Sequence, residues 1–180
     1  MLVEDRKNEG LILDFDINQN ISLTNLNSIT RPLGISHKTE AENNQKLIEQ
    51  VNVKTPSLNQ KVKNLSGGNQ QKVVICKWIN ADVDILIFDE PTRGIDVGAK
   101  AEIYKLMNKL KQENKAVIMV SSELSECMGI SDCIYVMHEG SITGFITPDT
   151  VREVTEKEII IHATGQSKTR RNESDEKIEV

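Results

Sequence analysis

The chain has 180 residues, 38% of them hydrophobic and 27% charged, the composition of an ordinary globular chain of one domain or one and a part. With 22 Lys and Arg against 27 Asp and Glu the net charge is −5, which argues against a phosphate-backbone binder and removes nucleic acid from the expected partners. No apolar run approaches the roughly 18 residues a membrane helix needs, so any membrane role is expected to come through a partner.

Only 3% of the residues are aromatic, so the core must be built from Ile, Leu, Val and Met. The first residues, Met-Leu-Val-Glu-Asp-Arg-Lys, contain no apolar stretch of signal-peptide length, and the expectation is a cytosolic chain. Cys76, Cys127 and Cys133 match no zinc or redox spacing and read as free thiols.

In chain order, residues 1–65 are polar and Asn-rich and read as a small helical subdomain, with loops at 25–34 and 54–60 around Pro32 and Pro56. Between the loops one helix is expected, opened by a Thr39/Glu42 capping box and burying Ala41, Leu47, Ile48 and Val51. From Ser66 to 165 helices and strands alternate, which predicts an α/β core with parallel strands. The expected elements are helix 67–80, strand 84–89, helix 98–113, strand 116–121, helix 123–129, strand 132–137 and a hairpin-like return at 141–146. Ala99, Ile103, Leu106, Met107 and Leu110 give helix 98–113 its apolar stripe. A last helix is expected around 149–157, and the tail 166–180 has too little apolar content to fold.

The first chemical feature is Leu65-Ser66-Gly67-Gly68-Asn69-Gln70-Gln71-Lys72, a glycine pair at the mouth of a helix. Without Cβ, Gly67 and Gly68 let the backbone approach a ligand closely, and the N–H groups of the first turn, at the positive end of the dipole, suit a phosphate. Ser66 either caps the helix or gives its hydroxyl to the same anion; taken alone, Ser-Gly-Gly reads first as a plain cap followed by flexible glycines. The second feature changes that balance. Ile85-Leu86-Ile87-Phe88 predicts a strand buried on both faces, and Asp89 and Glu90 stand at its C-terminal end, where open α/β sheets bind ligands. This is a Walker B arrangement, in which Asp89 suits an outer-shell partner of Mg²⁺ and Glu90 suits the orientation and deprotonation of an attacking water.

Leu-Ser-Gly-Gly-Asn-Gln-Gln at 65–71, Asp-Glu-Pro-Thr-Arg-Gly-Ile-Asp-Val-Gly at 89–98 and Val-Ser-Ser-Glu-Leu-Ser-Glu at 120–126 resemble, in that order, the ATPase subunits of ABC transporters. With Glu4-Asp5-Arg6-Lys7 near the start, the chain resembles most the second nucleotide-binding domain of ribose-, galactoside- and xylose-type importers, from about residue 2 to 162. The resemblance implies a partial P-loop NTPase fold, an α/β parallel sheet lacking the Walker A strand, beside a small helical subdomain, with ATP and Mg²⁺ as cofactors. It places Leu65, Ser66, Gly67, Gly68, Asn69 and Gln70 in the signature motif that meets the γ-phosphate of ATP held by the opposing domain. Asp89 falls at the metal position, Glu90 at the catalytic carboxylate and Gly94-Ile95-Asp96 in the D-loop, with Asp96 also suited to cap the next helix. Glu4 falls where the family carries its Q-loop glutamine, and Ser122 where many members have the switch histidine. The implied partners are the remaining ATPase domains, a transmembrane sugar permease and, indirectly, an extracytoplasmic sugar-binding protein, at the cytoplasmic face of the plasma membrane.

Two departures qualify these implications. No G-x-x-x-x-G-K-[ST] occurs in the sequence, so the loop that grips the β- and γ-phosphates is missing from the 180 residues, and the chain alone is expected to be inactive. A serine at 122 supplies neither the charge nor the reach of an imidazole, which implies a weak site. His37, His138 and His162 are scattered and read as surface residues. The leading expectation is a fragment of a sugar-importer ATPase contributing signature motif and Walker B to a composite site. The alternative is a non-catalytic truncated module that pairs with a complete ATPase. In the fold that the chain resembles, the strand leading into Walker A lies between strands 116–121 and 132–137, and its absence implies that these two either collapse together or expose apolar edges.

Overall fold

The computed structural model describes residues 1–32 and 34–166, in two compact units, Met1–Val120 and a second from Ser121 onward. The tail expected to be unfolded from 166 lies, beyond Gln166, outside the described residues.

The first unit opens with a helical layer. Helix α1 (Ile17–Ser22) follows a capping box in which Asp16 Oδ1 accepts from the Gln19 amide at 2.8 Å and Gln19 Oε1 from the Asp16 amide at 3.1 Å. A minute hairpin, β1 (Thr30–Arg31) and β2 (Gly34–Ile35), leads into α2 (His37–Val51). Its cap is Ser36, not the expected Thr39: the Ser36 amide is anchored on the Ile29 carbonyl at 2.9 Å, so the helix begins one turn earlier and Thr39 lies inside it. The buried face runs through Glu40, Asn44, Ile48 and Val51, while Ala41 and Leu47 are half-buried. Asn44 accounts for the difference, since its amide donates to the Asn18 carbonyl and the Ser22 hydroxyl and so turns a polar position toward α1.

Helix α3 (Gly67–Asn80) has the expected limits and packs on both α1 and α2, with Val73, Val74, Ile75 and Cys76 fully buried. Beyond it, β3 (Ile85–Asp89) pairs in parallel with β4 (Ala116–Val120), and Leu2 adds a parallel bridge to the other side of β3 at Phe88. Helix α4 (Val97–Gln112) buries Ile103, Leu106, Met107 and Leu110 as its periodicity predicts and packs on β4.

Strand β3 is buried on one face and not on two: Leu86 and Phe88 are inside, whereas Ile85 is 59% exposed. The register puts Ile118 and Val120, each 50% exposed, on that same open face, and no element among the described residues covers it. Of the two outcomes expected for strands 116–121 and 132–137, apolar exposure is found within each unit, at Ile118 and Val120 in the first and at Tyr135 and Met137 in the second.

The second unit begins with α5 (Leu124–Ile130). Strands β5 (Ile134–His138) and β6 (Ser141–Ile146) then form the expected antiparallel return through Glu139 and Gly140, whose φ values of 46° and 76° fit a type I′ turn. The last helix, α6 (Glu156–Ala163), starts later than expected because Thr155 and Glu158 form its capping box, leaving 147–154 as turns. It closes a small core of Ile134, Val136, Ile146, Val151 and Ile159.

The cysteines differ sharply in environment. Cys76 is fully buried, its thiol donating to the Leu47 carbonyl, and burial pushes its ionisation far up, whereas Cys133 is exposed. A thiol reagent at pH 8 is therefore expected to label Cys133 in the native chain within minutes and Cys76 only after denaturation. Mass mapping of the labelled peptides checks this, and early labelling at Cys76 would contradict the described packing of α3.

Candidate functional site

The glycine-bearing tip of α3 is ordered by its own neighbours. Ser66 is the N-cap with extended backbone, yet its hydroxyl makes no bond to a helix amide; it accepts instead from Asn69 Nδ2 at 3.0 Å. Asn69 Oδ1 in turn accepts from the Lys54 amide at 2.8 Å, fixing the tip to the loop after α2. Ser66 is exposed, Gly67 half-buried and Gly68 buried. Gln70 points the other way, its side chain buried and donating to the Val62 carbonyl at 3.1 Å, and Leu65 is half-buried.

The glycines are required by packing as well as suited to ligand approach. A Cβ on Gly68 would stand 2.8 Å from the Cβ of Ala99 on α4, and one on Gly67 would stand 2.8 Å from Arg6 Nη2. The tip is thus pressed against the turn that leaves β3 and starts α4. Asp96 caps α4, its Oδ1 accepting from the Ala99 amide at 2.9 Å, on the side of α4 that meets Gly68.

Asp89 and Glu90 end β3, both half-buried. The Asp89 amide bonds the Leu2 carbonyl at 3.0 Å and the Glu90 amide the Val120 carbonyl at 2.9 Å, so the pair is held between the two flanking chains. Glu90 has φ 43°, a left-handed conformation that costs a non-glycine residue roughly 1 kcal/mol and is found preferentially where the surroundings enforce it. The chain then turns through buried Pro91 and Thr92 to Arg93, whose guanidinium forms an ion pair with Glu4. Glu4, Asp5, Arg6, Lys7, Arg93 and Gly94 together line a concavity of about 300 Å³.

The first unit therefore brings together Ser66, Gly67, Gly68, Asp96 and Glu4 around one turn, with Asp89 and Glu90 leading into it. Ser122 is exposed and belongs to the second unit, where the neighbouring Ser121 hydroxyl accepts from the Glu123 amide and donates to Glu126 at the start of α5. The residues that sequence reading missed are Arg6, which bridges two parts of the site, and the set behind the tip. There the ammonium of Lys72, a side chain 5% exposed, donates to the Asn52 carbonyl at 2.7 Å and pairs with Glu102 of α4. That hydrogen bond holds the Glu102 carboxyl below its ordinary value. Nothing in the local sequence signals either set, since each joins residues 20 or more positions apart.

A family model described as "ABC transporter" matches residues 5–93. The ribose import ATP-binding protein RbsA of Bacillus cereus (strain ZK / E33L) is 51% identical over 164 residues, which are 91% of this chain and 33% of that protein. RbsA of Bacillus subtilis (strain 168) is 53% identical over the same length, with the same shares. The chain thus spans about a third of the length of the curated relatives it matches. Among solved structures, the dimeric post-hydrolysis state of the ATP-binding cassette MJ0796 bound to ADP and Pi superposes with a TM-score of 0.69 at 20% identity, covering 82% of this chain and 61% of that one. With half its residues shared with such proteins and its elements laid out as in a solved cassette, the chain belongs to the ABC transporter family and has the α/β fold of its ATP-binding cassettes.

Proposed function

We propose that the chain works as part of the ATP-binding subunit of a sugar importer, supplying the signature tip and the Walker B carboxylates of a composite nucleotide site. The observation that supports this most is the joining of the α3 tip to the turn after β3, because it sets the glycine-built helix end and the acid pair on one rigid frame. In this reading the functional division is a helical subdomain at 1–65 and a core at 66–165. Leu65, Ser66, Gly67, Gly68 and Asn69 face the γ-phosphate of ATP gripped by another segment, the Ser66 hydroxyl keeping its hydrogen free for the anion. Gln70 steadies the tip from behind through Val62. Asp96 carries the D-loop, Glu4 reports on the permease, and Ser122 occupies the switch position.

The donor set suits a hard cation. Among the described residues no group of three or more His, Cys, Asp or Glu gathers to form a closed metal cage, and Mg²⁺ characteristically takes one or two carboxylates together with waters and phosphate oxygens. Asp89 would hold it, and the bound ion would neutralise charge on the phosphates. Glu90 orients and deprotonates the water that attacks. Because the sequence contains no G-x-x-x-x-G-K-[ST], the grip on the β- and γ-phosphates comes from outside these 180 residues. No described helix is long and apolar enough to cross a membrane, and attachment to the cytoplasmic face is proposed to run through the sugar permease, with an extracytoplasmic binding protein delivering the sugar.

In the assembled transporter, Glu90→Gln is expected to lower ATP turnover about 100-fold or more while leaving nucleotide binding in place. Ser66→Ala is expected to remove sugar-stimulated turnover. Phosphate release and equilibrium binding of labelled ATP measure the two quantities, and wild-type turnover in either variant would refute the assignment. Ser122, at the position where many family members carry the switch histidine, favours a second reading, a module that supports a complete ATPase without turning over ATP itself. Undiminished turnover with Glu90→Gln, together with loss of turnover when the whole chain is withdrawn, would select it.

A further inference from the structure

The Glu4-Asp5-Arg6-Lys7 segment contains a side chain that no step of the proposed cycle uses. Arg6 Nη1 donates to the Arg93 carbonyl at 3.0 Å and Nη2 to the Gly94 carbonyl at 3.3 Å. Two successive carbonyls of the turn between β3 and α4 are therefore held by one planar fork, an arrangement a lysine cannot copy. Arg6 Nε is buried and has no partner among the described residues, while the two Nη groups reach the exposed carbonyls of the turn. The same fork lies against the α3 tip, where a Cβ on Gly67 would come within 2.8 Å of Nη2. Gly94, with φ 68°, adopts the left-handed conformation that presents its carbonyl there. On the other flank Glu4 pairs with Arg93.

We propose that Arg6 is a positioning residue: its guanidinium locks the Arg93–Gly94 turn and the Gly67 tip in one geometry, so that the segment carrying Glu4 sets the placement of both. The proposal rests on the nucleotide-site reading above and adds to it the means by which three separate pieces of that site keep register. An unpaired carbonyl pair would let the turn drift, and displacements near 1 Å in a positioned site cost about 100-fold in rate.

The test uses the assembled transporter with Arg6→Ala, Arg6→Lys, Gly67→Ala, the Arg6→Ala/Gly67→Ala double variant and Glu90→Gln. For Arg6→Ala, kcat per folded site is expected to fall about tenfold or more, with the KM for ATP within about twofold of wild type, and Arg6→Lys is expected to recover little of it. Gly67→Ala should cost markedly less in the Arg6→Ala background than alone, because removal of the fork opens room for the added methyl. Thermal melting of each variant gives the folded fraction. A wild-type kcat per folded site in Arg6→Ala, or full recovery with Arg6→Lys, or strictly additive losses at 6 and 67, would overturn the proposal. If Glu90→Gln kept wild-type turnover, the nucleotide-site reading itself would fail, an outcome separate from any result at Arg6.

Discussion

Glu102→Ala is expected to destabilise the chain by about 3 kcal/mol, more than removal of its partner by Lys72→Met, which is expected to cost about 1 kcal/mol. The asymmetry follows from where each charge lies. The Lys72 side chain is 5% exposed and Glu102 38% exposed. Deleting the carboxylate strands a buried ammonium with the Asn52 carbonyl alone, whereas deleting the ammonium leaves a carboxylate that water reaches. At about 2–4 °C per kcal/mol for a chain of this size, the first variant should melt near 6–12 °C lower. Urea unfolding of wild type and both variants measures the difference, and equal losses would contradict the burial of Lys72.

The same pair has a pH signature. The Glu102 carboxyl is held below its ordinary 4.5 by the hydrogen bond from Lys72, so in the unfolded chain it binds protons more readily than in the folded one. Its contribution is complete above the ordinary value and is lost as pH falls through the lowered one. Lys72→Met should therefore show a shallower decline of stability below pH 4.5 than wild type.

The second large effect is expected at Gly68. Gly68→Ala would set a methyl 2.8 Å from the Ala99 Cβ, between two helix backbones that have no long side chain to move aside. Overpacking of this kind costs about 1–3 kcal/mol, while the better helix propensity of alanine returns about 1 kcal/mol, so the net loss is expected to be up to about 2 kcal/mol. The α3 tip must move away from α4, and in the assembled transporter turnover should fall at least tenfold with it. Ala99→Gly supplies the missing space, so the double variant should be more stable than the sum of the two single losses allows. Strict additivity would show that Gly68 and Ala99 do not press on one another.

How much of this could be read beforehand depends on the range of the interaction. Helix α3 and strand β3 were legible because Ser66 and Gly67 mark a helix start and four apolar residues precede Asp89. Helix α4 was legible because its buried positions recur at the helical period. The fold class follows from that alternation. The single-faced burial of β3 was not legible, since an unbroken apolar run looks the same whether one face or two are covered. Helix α1 is six residues long with only Ile17 and Ile21 apolar, and only its Asp16/Gln19 box announces it. In α2 the period is genuine, but Asn44 replaces an apolar contact with bonds to α1. The acid pair and the glycine pair could be picked out as candidates only together, since Ser-Gly-Gly alone reads as a helix cap and Asp-Glu alone as two solvated acids. What could not be foreseen is that the glycines make room for Arg6 and Ala99, because those neighbours lie 61 and 31 positions away in the chain.

The backbone at Glu90 carries one more implication. At φ 43° a glycine would sit without strain, so a search for thermostable variants would settle on Glu90→Gly early. On the proposed assignment that substitution would yield a sturdier and idle protein, and position 90 is where selection for robustness and selection for turnover pull in opposite directions.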